Sequence, residues 1–358
     1  MGYFLFISTL FTFRILHPAL QMIQALAIRT ASFFALALVA FATKPTSSTK
    51  IITFSKTLMG AELLILVNAE DNNALEEAVQ STYREGERLN MIFSDYEAKS
   101  EVSRLSQSSG SGKQFLLSPE LFELLQYAQN LSKLSDGAFD VTVGPLSRLW
   151  RIARFQKKLP APNKINLALN RVGYQNLLLN EANLSATAQL PGMVLDLGAI
   201  AKGYIADRML QKMKNNGYPR CLIDAGGDLT IGDAPKDRTG WRVEIGGRKH
   251  PQLPVLHLAN CAVATSGDLE QFLEIGGKRY SHILNPLTGI GLPGGAQATV
   301  VAPNCMIADS LASICLALGF EQSIPLLPQT KADQAHFLVI TDSAPQYFNY
   351  RQDSNVQE

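Results

Sequence analysis

Short apolar segments follow one another between residues 221 and 265, separated by glycine-rich or polar turns. This run of strands constrains the fold strongly, because it argues against a regular alternation of strands and helices. With the helical patterns lying outside the run, the sequence predicts an α+β fold, a single large body with an antiparallel sheet and packed helices. The predicted strands are Cys221–Asp224, Leu229–Gly232, Trp241–Ile245, Val255–Leu258 and Ala262–Thr265.

The regions around this run predict a hairpin and several helices. Met59-Gly60 separates two strand-like segments, and Ser118-Pro119 is typical of a helix start, with serine as cap and proline at the first position. Gly217 and Gly319 are typical helix ends. The predicted strands here are Ile51–Phe54, Glu62–Val67 and a last one at Ala335–Ile340. The predicted helices are Asn73–Leu89, one starting after Ser118, Ala201–Asn216 and Asn304–Gly319. Gln156–Pro162 is predicted to be a surface excursion.

The first 42 residues differ from the rest of the chain. They contain Arg14 and Arg29, no acidic residue, and two apolar runs, the second ending in Ala40-Phe41-Ala42. A basic region, a short apolar run and a small-x-small site are typical of an export signal. We therefore predict a signal peptide or N-terminal anchor over residues 1–42, a linker over 43–50 and a folded domain over 51–350. The start codon stays open between Met1 and Met22.

Charge and cysteine content narrow the remaining function classes. The chain has 358 residues, 46% of them apolar and 18% charged, which is typical of a globular protein. Removing residues 1–42 leaves 30 basic and 31 acidic residues, a net charge of about −1. Such a chain has no excess of cations for a phosphate backbone, so nucleic acid is not predicted as a partner. Cys221, Cys261, Cys305 and Cys315 show no metal-binding spacing and are predicted to be buried free thiols, with one disulfide as the alternative.

Asp309 and Ser313 are the first candidate site residues. They stand at i and i+4 of a predicted helix, so a carboxylate and a hydroxyl project to the same side. Hard oxygen donors suit Mg²⁺, which usually keeps substrate phosphates among its ligands. The alternative is an acidic residue near a helix N-terminus, with Ser313 merely packed.

Asp196–Lys202 is a second candidate. Asp196 ends an apolar strand, Gly198 permits a tight turn, and a helix carrying Lys202 follows. Backbone amides at a helix start favour anions, and backbone carbonyls can serve as hard ligands. The Asp224–Asp228 glycine turn either allows close approach to a phosphate or forms a simple hairpin.

These motifs and four others occur in order over most of the chain after about residue 50, and together they resemble the FAD:protein FMN transferases, the ApbE family. The resemblance implies the corresponding fold. It also implies Mg²⁺-dependent transfer of FMN from FAD to a threonine or serine hydroxyl of an acceptor protein, with release of AMP. The matching segments are Met59-Gly60, Phe93–Leu105, Gly137–Trp150, Asp196–Asp207, Arg279–Gly289 and Ala308–Ser313.

The resemblance assigns roles residue by residue. It implies that the Ala199 carbonyl, Asp309 and Ser313 bind Mg²⁺, although the family usually has threonine where this chain has Ser313. It also implies that His282 or a carboxylate beside the metal, such as Asp309, takes a proton during transfer; the alternative for His282 is a structural role in the Asn285–Gly289 turn. The residues expected to contact FAD are Met59, Tyr96, Ala138, Phe139, Asp140, Asp196, Lys202 and Ile283.

The implied partners are FAD and exported or membrane-bound redox-complex subunits that carry the acceptor hydroxyl. The implied location is the periplasm, with inner-membrane tethering as an alternative. Two other functions stay open: an FAD pyrophosphatase that uses water in place of the hydroxyl, and a non-catalytic flavin-binding protein. Ser100, Ser103 and Arg104 are either part of the site or turn and cap residues.

Overall fold

The computed structural model describes residues 49–245, 253–267, 272–339 and 346–351, which all belong to one compact unit beginning at Thr49. The predicted export segment, residues 1–42, lies outside the described residues, as does most of the predicted linker. Within the described ranges, no helix combines the length and apolar character that crossing a bilayer would require.

Sixteen strands and eight α-helices are present among the described residues. The strands are β1 (Lys50–Leu58), β2 (Ala61–Ala69), β3 (Phe115–Leu116), β4 (Leu177–Asn180), β5 (Ser185–Ala188), β6 (Cys221–Ala225), β7 (Leu229–Ile231), β8 (Trp241–Glu244), β9 (Val255–Leu258), β10 (Cys261–Gly267), β11 (Phe272–Ile275), β12 (Lys278–Leu284), β13 (Gly291–Pro293), β14 (Ala296–Ala302), β15 (Gln334–Val339) and β16 (Gln346–Arg351). The helices are α1 (Asn73–Phe93), α2 (Glu101–Gln107), α3 (Pro119–Leu134), α4 (Gly144–Gln156), α5 (Pro162–Leu169), α6 (Ala201–Asn215), α7 (Cys305–Leu318) and α8 (Phe320–Ser323).

One eight-stranded sheet organises these elements, with the strand order β1-β2-β6-β7-β10-β14-β15-β16. Every neighbouring pair in it is antiparallel. Alternate residues of β2, namely Leu63, Ile65 and Val67, are fully buried, as the two-residue period of a strand requires when one face covers a core. Three smaller sheets contain β11-β12-β13, β3-β5-β4 and β8-β9. The predicted α+β class with an antiparallel sheet is confirmed.

The main core contains residues of the large sheet together with residues of α1, α3, α6 and α7. Helix α1 contributes a stripe at helical spacing that includes Leu75, Val79 and Leu89, all fully buried. Its start is capped by Asn72, whose side chain accepts a hydrogen bond from the Leu75 amide at 2.9 Å. All four cysteines are free thiols, and all except Cys261 are buried, so no disulfide contributes to the core.

Helices α6 and α7 cross at very short range, and Gly203 makes the crossing possible. A Cβ atom at Gly203 would lie 2.3 Å from the Cys305 carbonyl oxygen, closer than any real contact. Each helix also supplies a carboxylate to the start of the other. Asp207 of α6 accepts hydrogen bonds from the Cys305 and Met306 amides at 2.8 and 2.9 Å, and Asp309 of α7 accepts one from the Gly203 amide at 3.3 Å.

The helix boundaries follow the predicted caps. Ser118 accepts a hydrogen bond from the Leu121 amide, and Asn304 accepts one from the Ile307 amide at 3.0 Å. Helices α6 and α7 end before Gly217 and at Gly319, both of which have positive φ. The hairpin around Met59-Gly60 is also confirmed.

Helix α4 begins at Gly144, because Pro145 fits the first turn, where its missing amide costs nothing. One prediction of local structure was wrong. The strand at Ala335 is not the last one, since β16 pairs with its outer edge. Ile340, the predicted end of that strand, lies outside the described residues.

The α6–α7 crossing leads to a test. We expect Gly203→Ala to lower the free energy of unfolding by at least about 2 kcal/mol, because the added methyl meets backbone atoms that cannot move aside. Gly86→Ala is the matched control, since a Cβ there meets only the side-chain ends of Leu58 and Met209. Urea denaturation of both variants checks this, and equal stabilities would contradict the steric argument.

Candidate functional site

A cleft of about 760 Å³ lies beside the α6–α7 crossing. The cleft is lined by the start of α6, the middle of α7, one side of α4 and the loop before it, and the ends of β10 and β12. Lining residues include Tyr96, Ala138, Phe139, Asp140, Arg151, Asp196, Ala199, Lys202, Gly226, Gly227, Ser266, His282, Ile283, Asp309 and Ser313. Every predicted site residue except Met59 is therefore on this cleft.

Asp309 is a buried carboxylate that still lines the cleft; it is only 4% exposed. Burial and the nearby charge of Asp228 raise its pKa above the usual range, while Lys202 acts in the opposite direction. One turn further along α7, the Ser313 hydroxyl lies 3.0 Å from the Ser266 hydroxyl of β10. The predicted i, i+4 arrangement is present, and Ser266 restrains a serine rotamer that has no methyl group to fix it.

Lys202 is the cation of this part of the cleft. Its ammonium group forms an ion pair with Asp228, whose carboxylate is almost fully buried and also accepts a hydrogen bond from the Thr265 amide at 3.3 Å. Burial lowers the pKa of Lys202, but Asp309 and Asp228 outweigh this effect and raise it above its usual value. Lys202 is therefore held as a cation between two acids, which is unlike a solvated lysine on a helix surface.

Asp196 shapes the turn that leads into α6. Its amide donates to the Val141 carbonyl at 2.8 Å, and its carboxylate accepts from the Gly198 amide at 2.9 Å. This turn puts Ala199 on the cleft wall immediately before the helix. Asp196 thus fixes the backbone geometry of the segment and presents its remaining oxygen to a cation on α4.

That cation is Arg151, which joins two acids. It bonds to Asp95 at 2.7 Å and to Asp196 at 3.1 Å, and its guanidinium lies 4.3 Å from the centre of the Tyr96 ring. Burial and repulsion from Asp196 raise the pKa of Asp95, although Arg151 opposes the rise. Tyr96 remains 76% exposed, so one side of its ring rests on Arg151 while most of it is open to solvent or a ligand.

Asp140 lies on the cleft as the resemblance implies, and its carboxylate is also bonded within the protein. One of its oxygens accepts hydrogen bonds from the Thr142 amide and hydroxyl, both at 2.7 Å, and the other accepts from the Tyr174 amide at 2.8 Å. These contacts tie the loop before α4 to the segment after α5. Asp140 therefore positions the neighbouring Ala138 and Phe139 along the cleft wall.

His282 and Ile283 lie near the end of β12 and face the cleft. The turn that follows is held by Asn285, whose side chain accepts hydrogen bonds from the Leu287 and Thr288 amides at 2.8 and 3.2 Å. The turn is also fixed to α4, because the Trp150 indole donates to the Gly289 carbonyl at 2.8 Å. His282 is thus placed on the wall of the cleft by a fixed turn.

Met59 does not line the cleft. It occupies the tip of the β1–β2 hairpin with a φ of 56°, a conformation that is uncommon for a residue with a side chain. The hairpin nevertheless lies beside the cleft wall, because a Cβ at Gly226 would be 3.1 Å from the Ala61 Cβ. The glycine turn at Asp224–Asp228 is both a hairpin between β6 and β7 and part of that wall, so its two proposed interpretations are compatible.

The Phe93–Leu105 motif is mainly structural apart from Tyr96 and Asp95. Ser100 caps α2 by accepting from the Ser103 amide at 3.1 Å and donates to the Ser94 carbonyl at 2.6 Å. Arg104 stacks on the ring of Phe115. These three residues therefore act as the turn and cap residues of the alternative interpretation.

The oxygen donors on the cleft fit a hard divalent cation. Asp309 supplies a carboxylate, Ser313 a hydroxyl held in place by Ser266, and Ala199 belongs to a turn that reaches the same wall. Within the part of the chain that the structure describes, no group of three or more His, Cys, Asp or Glu side chains is arranged to hold a metal. The predicted donor set has a single carboxylate, and Mg²⁺ commonly completes such a set with phosphates and water.

Sequence reasoning missed Arg151 and Ser266 on the cleft and their neighbours Asp95 and Asp228. Arg151, Asp95 and Ser266 act through partners that are far away in the chain, and local patterns carry no signal for such pairs. Asp228 stood within a recognised motif, and its position beside two glycines at a strand end was the available signal. Its burial, at 2% exposure, and its ion pair with Lys202 are what distinguish it.

The fold and the cleft define an α+β protein with a polar, metal-compatible site, and similarity to known proteins shows its family. The ApbE family model matches residues 59–338, so the chain belongs to the ApbE family. A FAD:protein FMN transferase of Klebsiella pneumoniae is 30% identical over 316 residues, covering 85% of this chain and 95% of the relative. The enzyme of the same name from Treponema pallidum is 33% identical over 289 residues, covering 75% and 78%.

Solved structures lead to the same family. The flavin transferase ApbE from Vibrio cholerae has a TM-score of 0.72 at 26% identity, covering 84% of this chain and 97% of that one. The ApbE protein from Thermotoga maritima has a TM-score of 0.74 at 26% identity, covering 85% and 98%. The predicted family, fold and transferase class are confirmed by these matches.

Arg151 provides a test of the electrostatics. We expect Arg151→Met to lower the free energy of unfolding by about 3 kcal/mol near neutral pH, because Asp95 and Asp196 keep little access to solvent and lose their cation. Arg242→Met is the control: its ion pair with Glu244 is exposed, so its loss should cost less than about 1 kcal/mol.

The loss in Arg151→Met should also depend on pH. Burial already raises the pKa of Asp95, and removal of the guanidinium raises it further. A carboxyl group with a raised folded-state pKa takes up a proton on folding, so stability recovers as pH falls through that pKa. Urea denaturation at about pH 7 and about pH 5 measures this; an equal loss at both values would exclude an uncompensated Asp95 charge.

Proposed function

We propose that this protein transfers FMN from FAD to a threonine or serine hydroxyl of an acceptor protein and releases AMP. The observation that carries the proposal is the combination of Lys202, Asp309 and Ser313 on one cleft that also presents Tyr96 and Phe139. The first group offers a cation and hard oxygen donors for a pyrophosphate. Tyr96, which is mostly exposed, offers a stacking surface to a flavin or adenine ring, and the buried Phe139 supports the apolar part of the wall. The name shared by the relatives supports both substrates.

Mg²⁺ is the proposed metal, and Asp309, Ser313 and the Ala199 carbonyl are its proposed ligands in this chain. When bound, it supplies neutralisation of the pyrophosphate charge. Lys202 adds a positive charge beside these ligands. Its ion pair with Asp228 holds the ammonium group in place, so the cation stays on the wall of the cleft.

The transfer step needs one new bond and one broken bond. The acceptor hydroxyl oxygen attacks the phosphorus of the FMN moiety, and the bond from that phosphorus to the bridging oxygen breaks. The electron pair leaves with AMP, and the hydroxyl proton passes to a base. We assign that base to His282, because its ring faces the cleft and an imidazole can accept a proton near neutral pH.

We also propose that the protein acts outside the cytoplasm. Arg29, the apolar run before Ala42 and the Ala40-x-Ala42 site support export of the folded domain, with acceptor subunits of membrane redox complexes facing the same compartment. N-terminal sequencing of protein from the native host should begin near Thr43. A mature chain that retains the leader would argue for an anchor.

An assay with FAD, Mg²⁺ and the soluble domain of a redox-complex subunit tests the transfer. The expected result is an acceptor whose mass increases by one FMN for each AMP released, with slow AMP release when the acceptor is left out. Asp309→Ala should remove Mg²⁺-dependent transfer, whereas Ser313→Thr should keep it, because threonine retains the oxygen. Rapid release of FMN and AMP without any labelled acceptor would support the pyrophosphatase alternative.

A second variant tests the role of His282. If the ring accepts the hydroxyl proton, His282→Ala should slow transfer by about a hundredfold while leaving FAD affinity nearly unchanged. Single-turnover transfer and FAD titration measure the two quantities separately. A loss of FAD affinity that matches the loss of rate would make His282 a structural residue and not the base.

A further inference from the structure

The basic residues of this chain are concentrated in one segment. Residues 141–180 contain seven Arg or Lys residues and no Asp or Glu. Because the whole chain has a net charge of +1, the rest of it carries −6. The net charge of the whole chain is therefore near zero although this segment is strongly positive. Its members are Arg148, Arg151, Arg154, Lys157, Lys158, Lys164 and Arg171.

The same segment exposes large apolar side chains. Phe155 is 91% exposed, Leu167 59% and Ile152 55%. Ile152 and Phe155 lie three residues apart on α4, so they share one side of that helix. A large aromatic side chain that is almost fully exposed has few contacts within its own protein. When a partner covers it, burial of its apolar surface contributes favourably to the free energy of binding.

The exposed lysines of the segment have no partner of opposite charge. Lys157, Lys158 and Lys164 take part in no ion pair within the described ranges. Two of these lysines, Arg148 and the apolar side chains form the surface that we call the α4–α5 face, which consists of Arg148, Ile152, Phe155, Lys157, Lys158 and Leu167.

This face is continuous with the cleft through α4 itself. Trp150, Arg151 and Arg154 of α4 line the cleft, while Ile152 and Phe155 are exposed. A helix is only about 10 Å across, so a polypeptide lying on the exposed side of α4 passes close to the cleft mouth. Tyr96, also mostly exposed, sits against Arg151 at that mouth.

We propose that the α4–α5 face is the docking surface for the acceptor protein and that it binds an acidic segment containing apolar side chains. The inference rests on the proposed function, since it names how the second substrate of the cleft is recognised. Complementary charge would speed the encounter and fix the orientation, and Phe155 would provide the central apolar anchor.

A polypeptide fits this face better than a lipid surface does. Interfacial helices usually bury a broad apolar face along their whole length. Helix α4 has 13 residues, and much of it is already committed to the fold and the cleft, as Leu146, Trp150 and Ala153 show by their burial. What remains is a small apolar centre with lysines beside it, the usual arrangement of a protein–protein contact.

Binding of two fluorescent peptides to the FAD-loaded full-length protein tests the proposal. Both peptides carry the same leucine and phenylalanine residues, but one has aspartates and glutamates where the other has lysines. Anisotropy should show that the acidic peptide binds at least about tenfold more tightly. Lys157→Glu/Lys158→Glu should remove this preference, and Phe155→Ser should weaken binding of the acidic peptide by about tenfold.

Matched controls are available on other elements. Lys113→Glu/Lys133→Glu reverses two exposed lysines, and Leu116→Ser changes a side chain that is 71% exposed on β3; neither should affect peptide binding. Equal binding of both peptides, or equal losses in the control variants, would overturn the proposal. Sedimentation with anionic phospholipid vesicles that is lost in Phe155→Ser, without discrimination between the peptides, would overturn it in favour of a membrane.

The transfer assay then separates this proposal from the proposed function. With the redox-subunit domain as acceptor, the variants of the α4–α5 face should raise KM for the acceptor by about tenfold while FAD affinity stays unchanged. A wild-type protein that binds the acidic peptide but never transfers FMN would contradict the proposed function alone. A wild-type protein that transfers FMN with the same KM in all variants would contradict the docking surface alone.

Discussion

The close crossing of α6 and α7 is the constraint on which the cleft depends. A glycine at residue 203 lets the two backbones meet, and each helix then supplies a carboxylate to the other's first turn. Helix α6 needs this help, because Ile200 at its N-cap offers no side-chain hydrogen bond. Backbone amides in the first turn of each helix thus donate hydrogen bonds to an acid of the other helix. The relative position of the two helices is fixed by backbone contact and not by adaptable side chains.

This arrangement explains how Asp309 can be buried and still belong to a polar site. Its hydrogen bond to the Gly203 amide stabilises one oxygen, and the proximity of Lys202 offsets part of the cost of burial. The helix-stabilising interpretation and the ligand interpretation are therefore not alternatives for this residue. A carboxylate anchored in this way cannot rotate freely, which suits a group that must present an oxygen in a fixed direction.

Structure could be predicted from the sequence where local patterns determine it, as in helices and their caps. Contacts between residues far apart in the chain could not be predicted. Helical spacing placed Asp309 and Ser313 on one side of α7, and caps at Asn304 and Gly319 predicted its ends. The helix that begins at Gly144-Pro145 was not predicted, although proline in a first turn is typical of a helix start. The bridge from Arg151 to Asp95 and Asp196 spans 56 and 45 residues of sequence, and no periodicity or motif spacing encodes such a contact.

The charges around Lys202 also bear on the metal of the proposed function. Asp228 pairs with Lys202, and Asp309, whose pKa is raised by burial and by Asp228, adds at most one further negative charge, so the group on its own offers a pyrophosphate no net positive charge. A divalent cation on Asp309 and Ser313 would make the same group positive, and affinity for the nucleotide would then require the metal. On the proposed function, a metal requirement is therefore expected for binding of the phosphates and not for binding of the flavin ring.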